Sequence, residues 1–360
     1  MKDNEIRLFK ELCKFKSNTL DNSLVDNASP TVLGYLFYNR MQGIAYGKLK
    51  DCGMLGRVNR EFRNSLSAAF EQNTIKNSSF LCCVEMVAQI LFECKCKAAM
   101  LKGAYLCAHY PIGYRTSNDI DLLVHPNDVS TVGNLLLSAG FKQGSIRNGD
   151  FVPATRLEII ESKMLRGETV PYIKEVKLPY MKYLEVDINF SLDYKSGNNH
   201  IVTELLNHSC IRDIGFCIPT LNSEDFFIHL CAHLYKEATT LPWIKMHRDM
   251  TLYKYCDIYL LLSEMTHADI DSLFYRAQKF GLEKICSYAI CETADLFDIG
   301  ESYALFKSNE VLKDDPNYRL RVISPADKTQ LIYQTTDAFT RFFMEDRASD
   351  LKECSTDETT

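Results

Sequence analysis

The chain has 360 residues, 46% of them hydrophobic and 24% charged, and a formal net charge of −6. This is an ordinary globular composition with length enough for two domains. An acidic total announces no broad basic face and gives no DNA-binding signal, and no apolar run in the sequence approaches the length that crosses a bilayer, so no membrane partner is expected.

Residues 1–7 lack the apolar core of a secretion signal. The 14 cysteines are scattered through apolar patterns and read as reduced, buried thiols. Both features give a cytoplasmic expectation.

In chain order, the first 95 residues are expected to be helical. Ile6, Leu8, Phe9 and Leu12 form a short amphipathic set, and Ser29-Pro30 opens a helix through Leu33, Leu36, Phe37 and Met41. Between Phe62 and Phe92 apolar residues recur at helical spacing, as one long helix or two. The pattern then changes. Residues 98–101 are a short apolar run ended by Lys102-Gly103, residues 104–110 fit a helix stopped by Pro111 and Gly113, and residues 119–124 read as a strand. Pro126 starts a helix over 129–137 that Gly140 closes.

Beyond Gly140, residues 155–160 and 172–177 have strand-like content around a turn at 166–168, and residues 181–192 form the clearest later strand, with a polar bend at 193–199. Ser223 is expected to cap a helix over 226–237, with further helices at 253–263, 268–280 and 283–297. The reading is α+β: an N-terminal helical region (1–95), a small mixed-sheet core (96–220), a C-terminal helical domain (221–345) and a polar tail (346–360), frayed from about residue 349.

The chemistry-bearing segment runs from Leu101-Lys102-Gly103-Ala104 to Arg115 and Asp119-Ile120-Asp121-Leu122-Leu123-Val124. On a strand Asp119 and Asp121 share a face. Two carboxylates so placed suit magnesium, and a pair of ions about 4 Å apart activates an attacking oxygen and stabilises a leaving pyrophosphate. A third acid completes such a set. Asp187 is the choice, on the best later strand, and Glu185, two residues earlier on the same face, is its rival. Gly103 allows close backbone approach to phosphates, and Lys102 and Arg115 are placed to neutralise phosphate charge. The bland alternatives are a solvated strand end for the acids and surface ion pairs for Lys102 and Arg115. The order of the parts favours catalysis.

These residues, with Gly140-Phe141 and Glu185-Val186-Asp187-Ile188-Asn189, resemble the uncharacterised bacterial nucleotidyltransferase family of the DNA polymerase beta-type superfamily. The resemblance spans about residues 97–192 and continues more loosely over 226–262. It implies a nucleotidyltransferase core in which Gly103 takes the glycine-turn role, Asp119 and Asp121 the metal pair and Asp187 the third acid. It departs from the family pattern at Asn189, where a histidine is usual, and at Ala104, where the turn is often Gly-Ser or Gly-Gly.

The expected activity is transfer of a nucleoside monophosphate from a triphosphate, ATP first among them, to a hydroxyl or similar acceptor. Two Mg2+ ions, or Mn2+ in their place, would sit on Asp119, Asp121 and Asp187. The acceptor is a small molecule, a protein or an RNA. Two other classes compete: a metal-dependent glycosyltransferase using the Asp-x-Asp pair, and a non-catalytic nucleotide-binding or toxin–antitoxin-like partner protein. His229 and His233, one helical turn apart, are a further candidate pair for a metal or an acceptor pocket, against the plainer reading of packed helix histidines.

Overall fold

The structure, a computed structural model, describes residues 1–17, 19–165, 167–192 and 199–353. Nearly all of the expected polar bend after residue 192, residue 166 of the expected turn and the last seven residues lie outside the described residues. The chain divides into two compact units, Met1–Phe226 and Phe227–Thr360.

The first unit opens with helices Asp3–Cys13, Pro30–Tyr38, Gln42–Asp51 and Arg60–Phe92. Ser29 caps the second of these by accepting the Val32 N–H, and Pro30 occupies its first turn. That helix ends at Tyr38 rather than running to Met41, because Arg40 turns to a left-handed φ of 57°.

The apolar run ending at Phe92 is one helix of 33 residues, capped by Asn59 and containing neither glycine nor proline. By length and composition alone this helix could span a bilayer, contrary to the sequence expectation. Phe80, Val84, Val87 and Leu91 from its second half are buried in the core.

Eight strands form one sheet: β1 (Ala98–Met100), β2 (Asp119–Val124), β3 (Lys142–Arg147), β4 (Asp150–Pro153), β5 (Tyr172–Leu178), β6 (Met181–Asn189), β7 (Cys210–Asp213) and β8 (Cys217–Thr220). Their order is β4-β3-β5-β6-β2-β1-β8-β7. β2 runs parallel to β6 and antiparallel to β1, so the sheet is mixed. Ile120, Leu122 and Val124 of β2 and Leu184, Val186 and Ile188 of β6 enter the core, where Val132 and Leu136 of the Val129–Ser138 helix join those of the long helix. Alternation sends the intervening residues of both strands to the opposite face.

Two sequence expectations are corrected, and one hairpin is added. Residues 156–165 are a helix, not a strand. Thr155 and Glu158 cap it reciprocally, the Glu158 carboxylate accepting the Thr155 N–H at 2.7 Å and the Thr155 hydroxyl accepting the Glu158 N–H at 3.3 Å. The β3–β4 hairpin, absent from the sequence reading, turns on Asn148 and Gly149 with φ of 53° and 82°. The Ser223–Ala238 helix is capped by Asn222, which accepts the Asp225 N–H at 2.8 Å, and Ser223 already lies inside it.

The second unit is largely helical, with Leu252–Leu262, His267–Lys279, Glu283–Phe297 and Tyr303–Leu312 as its longer helices after Ser223–Ala238. It also holds a three-stranded antiparallel sheet that the sequence reading lacks: β9 (Arg321–Ile323), β10 (Gln330–Tyr333) and β11 (Leu351–Glu353). Part of the expected polar tail is thus a strand. Charge is buried here in pairs. Glu292 accepts from Arg341 at 2.8 Å and Arg319 at 2.9 Å, and Arg347 grips Asp249 with two bonds of 2.7 Å.

Candidate active site

Parallel pairing of β2 with β6 sets Asp119 beside Glu185 and Asp121 beside Asp187. Neighbouring strands lie roughly 4.8 Å apart. Four carboxylates therefore occupy a two-by-two block on the face turned away from the helix-covered core. Glu168 joins them. Its backbone bridges to Asn189 at the end of β6, and its charge acts on Asp187.

Three of these acids hold their protons tightly. Burial, then Asp121, Glu185, Asp119 and Glu168 in that order, push the Asp187 carboxyl well above the usual range. Glu185 is raised by burial and by both strand-β2 acids. Asp119 has an edge open to solvent, yet the protein around its carboxyl and the neighbouring Asp121 raise it, while Lys102 and Arg115 pull the other way. Carboxylates crowded in this way favour any arrangement that brings positive charge among them.

Part of that charge is built in. The Lys102 ammonium lies 2.7 Å from Asp121 Oδ1, and the Asn189 amide donates to the same oxygen at 3.4 Å. Lys102 reaches Asp121 from a tight turn. Leu101 donates its N–H to the Asp121 carbonyl at 2.9 Å, and the Ala104 N–H closes the turn on the Leu101 carbonyl at 3.1 Å. Lys102 itself carries φ 45° and ψ −117°, a corner that glycine usually fills.

Gly103 follows, and the loop that carries Arg115 packs closely over it. A side chain there would come within 2.9 Å of the Ser117 hydroxyl and 3.2 Å of an Arg115 guanidinium nitrogen. The space over Gly103 is where Arg115 and Ser117 pack, and the buried Arg115 donates to the Ser117 hydroxyl. The long helix holds that loop from beneath. The Asn77 side chain accepts the Gly113 N–H at 2.8 Å and donates to the Arg115 carbonyl at 2.9 Å, while Asn73 donates to the Gly113 carbonyl at 2.8 Å.

Asp119, Asp121, Glu185, Asp187, Lys102, Gly103 and Arg115 are therefore gathered in one place. Sequence reasoning missed Asn73, Asn77, Ser117 and Glu168. The helix residues sit amid an amphipathic pattern with nothing to distinguish them, and Glu168 is adjacent only through a bridge outside the regular strands. His229 and His233 belong to the second unit. His229 is buried, and His233 lies 3.5 Å from Glu237 across one helical turn, where Glu237 also takes Lys254.

As the side chains stand, no three His, Cys, Asp or Glu groups among the described residues converge on one ion. The donor chemistry still fits a hard divalent cation, which takes carboxylate oxygens.

No curated protein matches the chain. Residues 29–298 match the model of the family described as uncharacterised nucleotidyltransferase, a span that contains the whole block of acids and the turn before it. The chain belongs to that family and is a nucleotidyltransferase, rather than the glycosyltransferase or non-catalytic binding protein that the Asp-x-Asp pair alone left open.

Proposed function

We propose that the enzyme moves a nucleoside monophosphate from a nucleoside triphosphate, ATP first among candidates, to a hydroxyl or similar group on a small molecule, protein or RNA. The observation that carries this reading is the register that sets Asp121 beside Asp187 and Asp119 beside Glu185. In the transfer, the acceptor oxygen bonds to the α-phosphorus as the bond to the bridging α–β oxygen breaks and pyrophosphate leaves.

Asp119, Asp121 and Asp187 would hold two Mg2+ ions, with Mn2+ as a substitute, after rotation of side chains on a fixed backbone. When bound, such ions supply Lewis-acid activation of the attacking oxygen and neutralise charge on the leaving pyrophosphate. Asp187 is the third acid because it sits directly opposite Asp121, and Glu185 supports it from beside Asp119. Asp187 also takes the acceptor proton, because its carboxylate stands on β6 beside Asp121, within reach of an acceptor held at the metal pair.

Arg115, aimed by the Asn77-bound loop and admitted by the bare Gly103, would bind phosphate oxygens. Lys102 would neutralise charge where it now faces Asp121.

The test is incubation of the protein with α-32P-labelled triphosphates, Mg2+ and cell extract, followed by separation of labelled products. A labelled acceptor with the wild type, lost at least a hundredfold with Asp121→Asn and with Asp187→Asn, is the expected result. Transfer that survives both substitutions would overturn the reading. Glu185→Gln is expected to retain more activity than Asp187→Asn.

A further inference from the structure

The long helix brings one more charged group to the site. Lys76 lies one residue before Asn77, on the helix that grips the loop carrying Arg115. Its ammonium donates to the Asn118 side-chain oxygen, and Asn118 immediately precedes Asp119. That acceptor is a neutral amide and balances no charge. Arg40, from the turn between two N-terminal helices, acts on Lys76 with like charge, and the acid whose field favours it is Asp119. Asp119 already answers to Lys102 and Arg115. Part-burying a lysine beside an arginine, against a neutral amide, disfavours its charge. An anion delivered to this corner would reverse that cost.

Charge is also distributed unevenly over the site. Lys102 and Arg115 act on the β2 acids. The largest charge effects on Asp187 of β6 come from Asp121, Glu185, Asp119 and Glu168, all acids. A polyanion entering the site therefore finds its cations on the β2 side, toward Asp119, and the proton-accepting carboxylates on the β6 side.

We propose that Lys76 is a third phosphate-binding cation, which with Lys102 and Arg115 seats the triphosphate tail of the nucleotide at the Asp119 end of the site. The assignment rests on the nucleotidyl-transfer reading above.

Binding of each of the four α,β-methylene nucleoside triphosphates, which cannot be cleaved at the α–β bridge, is measured by titration calorimetry in Mg2+. The corresponding monophosphates are measured alongside. Lys76→Met should weaken the best triphosphate about tenfold or more and leave the monophosphate within about twofold, because a charge-assisted bond to the tail is lost while the nucleoside contacts remain. Lys76→Arg should restore most of the loss, and Asn118→Ala, which removes only the neutral partner, should cost less than Lys76→Met.

Equal triphosphate affinity for the wild type and Lys76→Met overturns this proposal alone. So does an equal loss for triphosphate and monophosphate, which marks a structural role. Failure of the wild type to bind any of the four triphosphates instead overturns the nucleotidyl-transfer reading beneath it.

Discussion

At the scale of single residues, two costs are concentrated where the chemistry is placed. Lys102 sits in a turn corner that a side chain enters only with strain of about 1–3 kcal/mol. Its ammonium on Asp121 is the return for that strain. Lys102→Gly and Lys102→Ala both remove the ammonium, but only glycine relieves the backbone. The glycine variant should therefore be more stable than the alanine variant by about 1 kcal/mol in urea unfolding, a reversal of the usual order of these two residues.

Asp187 carries the second cost. Its raised carboxyl means that the folded state holds the proton more tightly than the unfolded chain, so its contribution favours folding at low pH and is lost as pH rises toward and through the folded-state value. In metal-free protein at neutral pH, Asp187→Asn should raise the melting temperature by a few degrees, and the gain over wild type should shrink as pH is lowered toward 4. A lower melting temperature at neutral pH would mean that Asp187 is a structural group rather than a crowded functional one.

At the scale of elements, the site depends on a loop pinned between two helices. Asn77, almost wholly buried, satisfies one N–H and one C=O of the 113–115 turn. Asn77→Ala leaves both without that partner and should cost about 2–4 kcal/mol in chemical unfolding, with weakened nucleotide binding because Arg115 loses its anchor. From the other side, the Gln42–Asp51 helix approaches so closely that a side chain on Gly43 would lie 2.2 Å from the Gly113 carbonyl oxygen and 2.9 Å from that of Tyr114. These are backbone atoms that cannot rotate away. Gly43→Ala should therefore destabilise the protein although alanine is the better helix former, and unchanged or raised stability in the same urea titration would show that the loop can yield.

At the scale of the whole molecule, both units bury apolar side chains, and the second adds a buried network of ion pairs. The first is built on an apolar core between one sheet face and its helices. The second buries ion pairs, among them Glu292 between Arg341 and Arg319, with Glu292 fully buried. Removing one member of a buried network leaves the remaining charge uncompensated. Glu292→Ala should cost about 3–5 kcal/mol. The single tryptophan, Trp243, lies in the second unit, so its fluorescence during urea unfolding reports on that unit. A midpoint equal to wild type would mean that the network contributes little beyond the packing around it.

Local pattern alone was enough for the β2 strand over residues 119–124, the helices that flank it and the shared face of Asp119 and Asp121, because alternation and capping are properties of neighbours in the chain. It also suggested Asp187, through a strand whose apolar alternation was clear. Local pattern could not choose between Glu185 and Asp187, since both occupy the same face of β6. The tertiary structure decided how those side chains meet the first pair, because the partner opposite Asp121 depends on the register between strands about 60 residues apart in sequence.

The same holds for Gly103, Asn77 and Lys76. The glycine gives way to a guanidinium, and the helix residues touch a loop 36 to 42 residues onward. Such contacts leave no mark on periodicity. Residues 155–160 failed for the opposite reason. A Thr-x-x-Glu cap is a local signal, but a reading of strand-like content over 155–160 takes no account of it. Strand content was read from composition where the capping hydrogen bonds set the backbone.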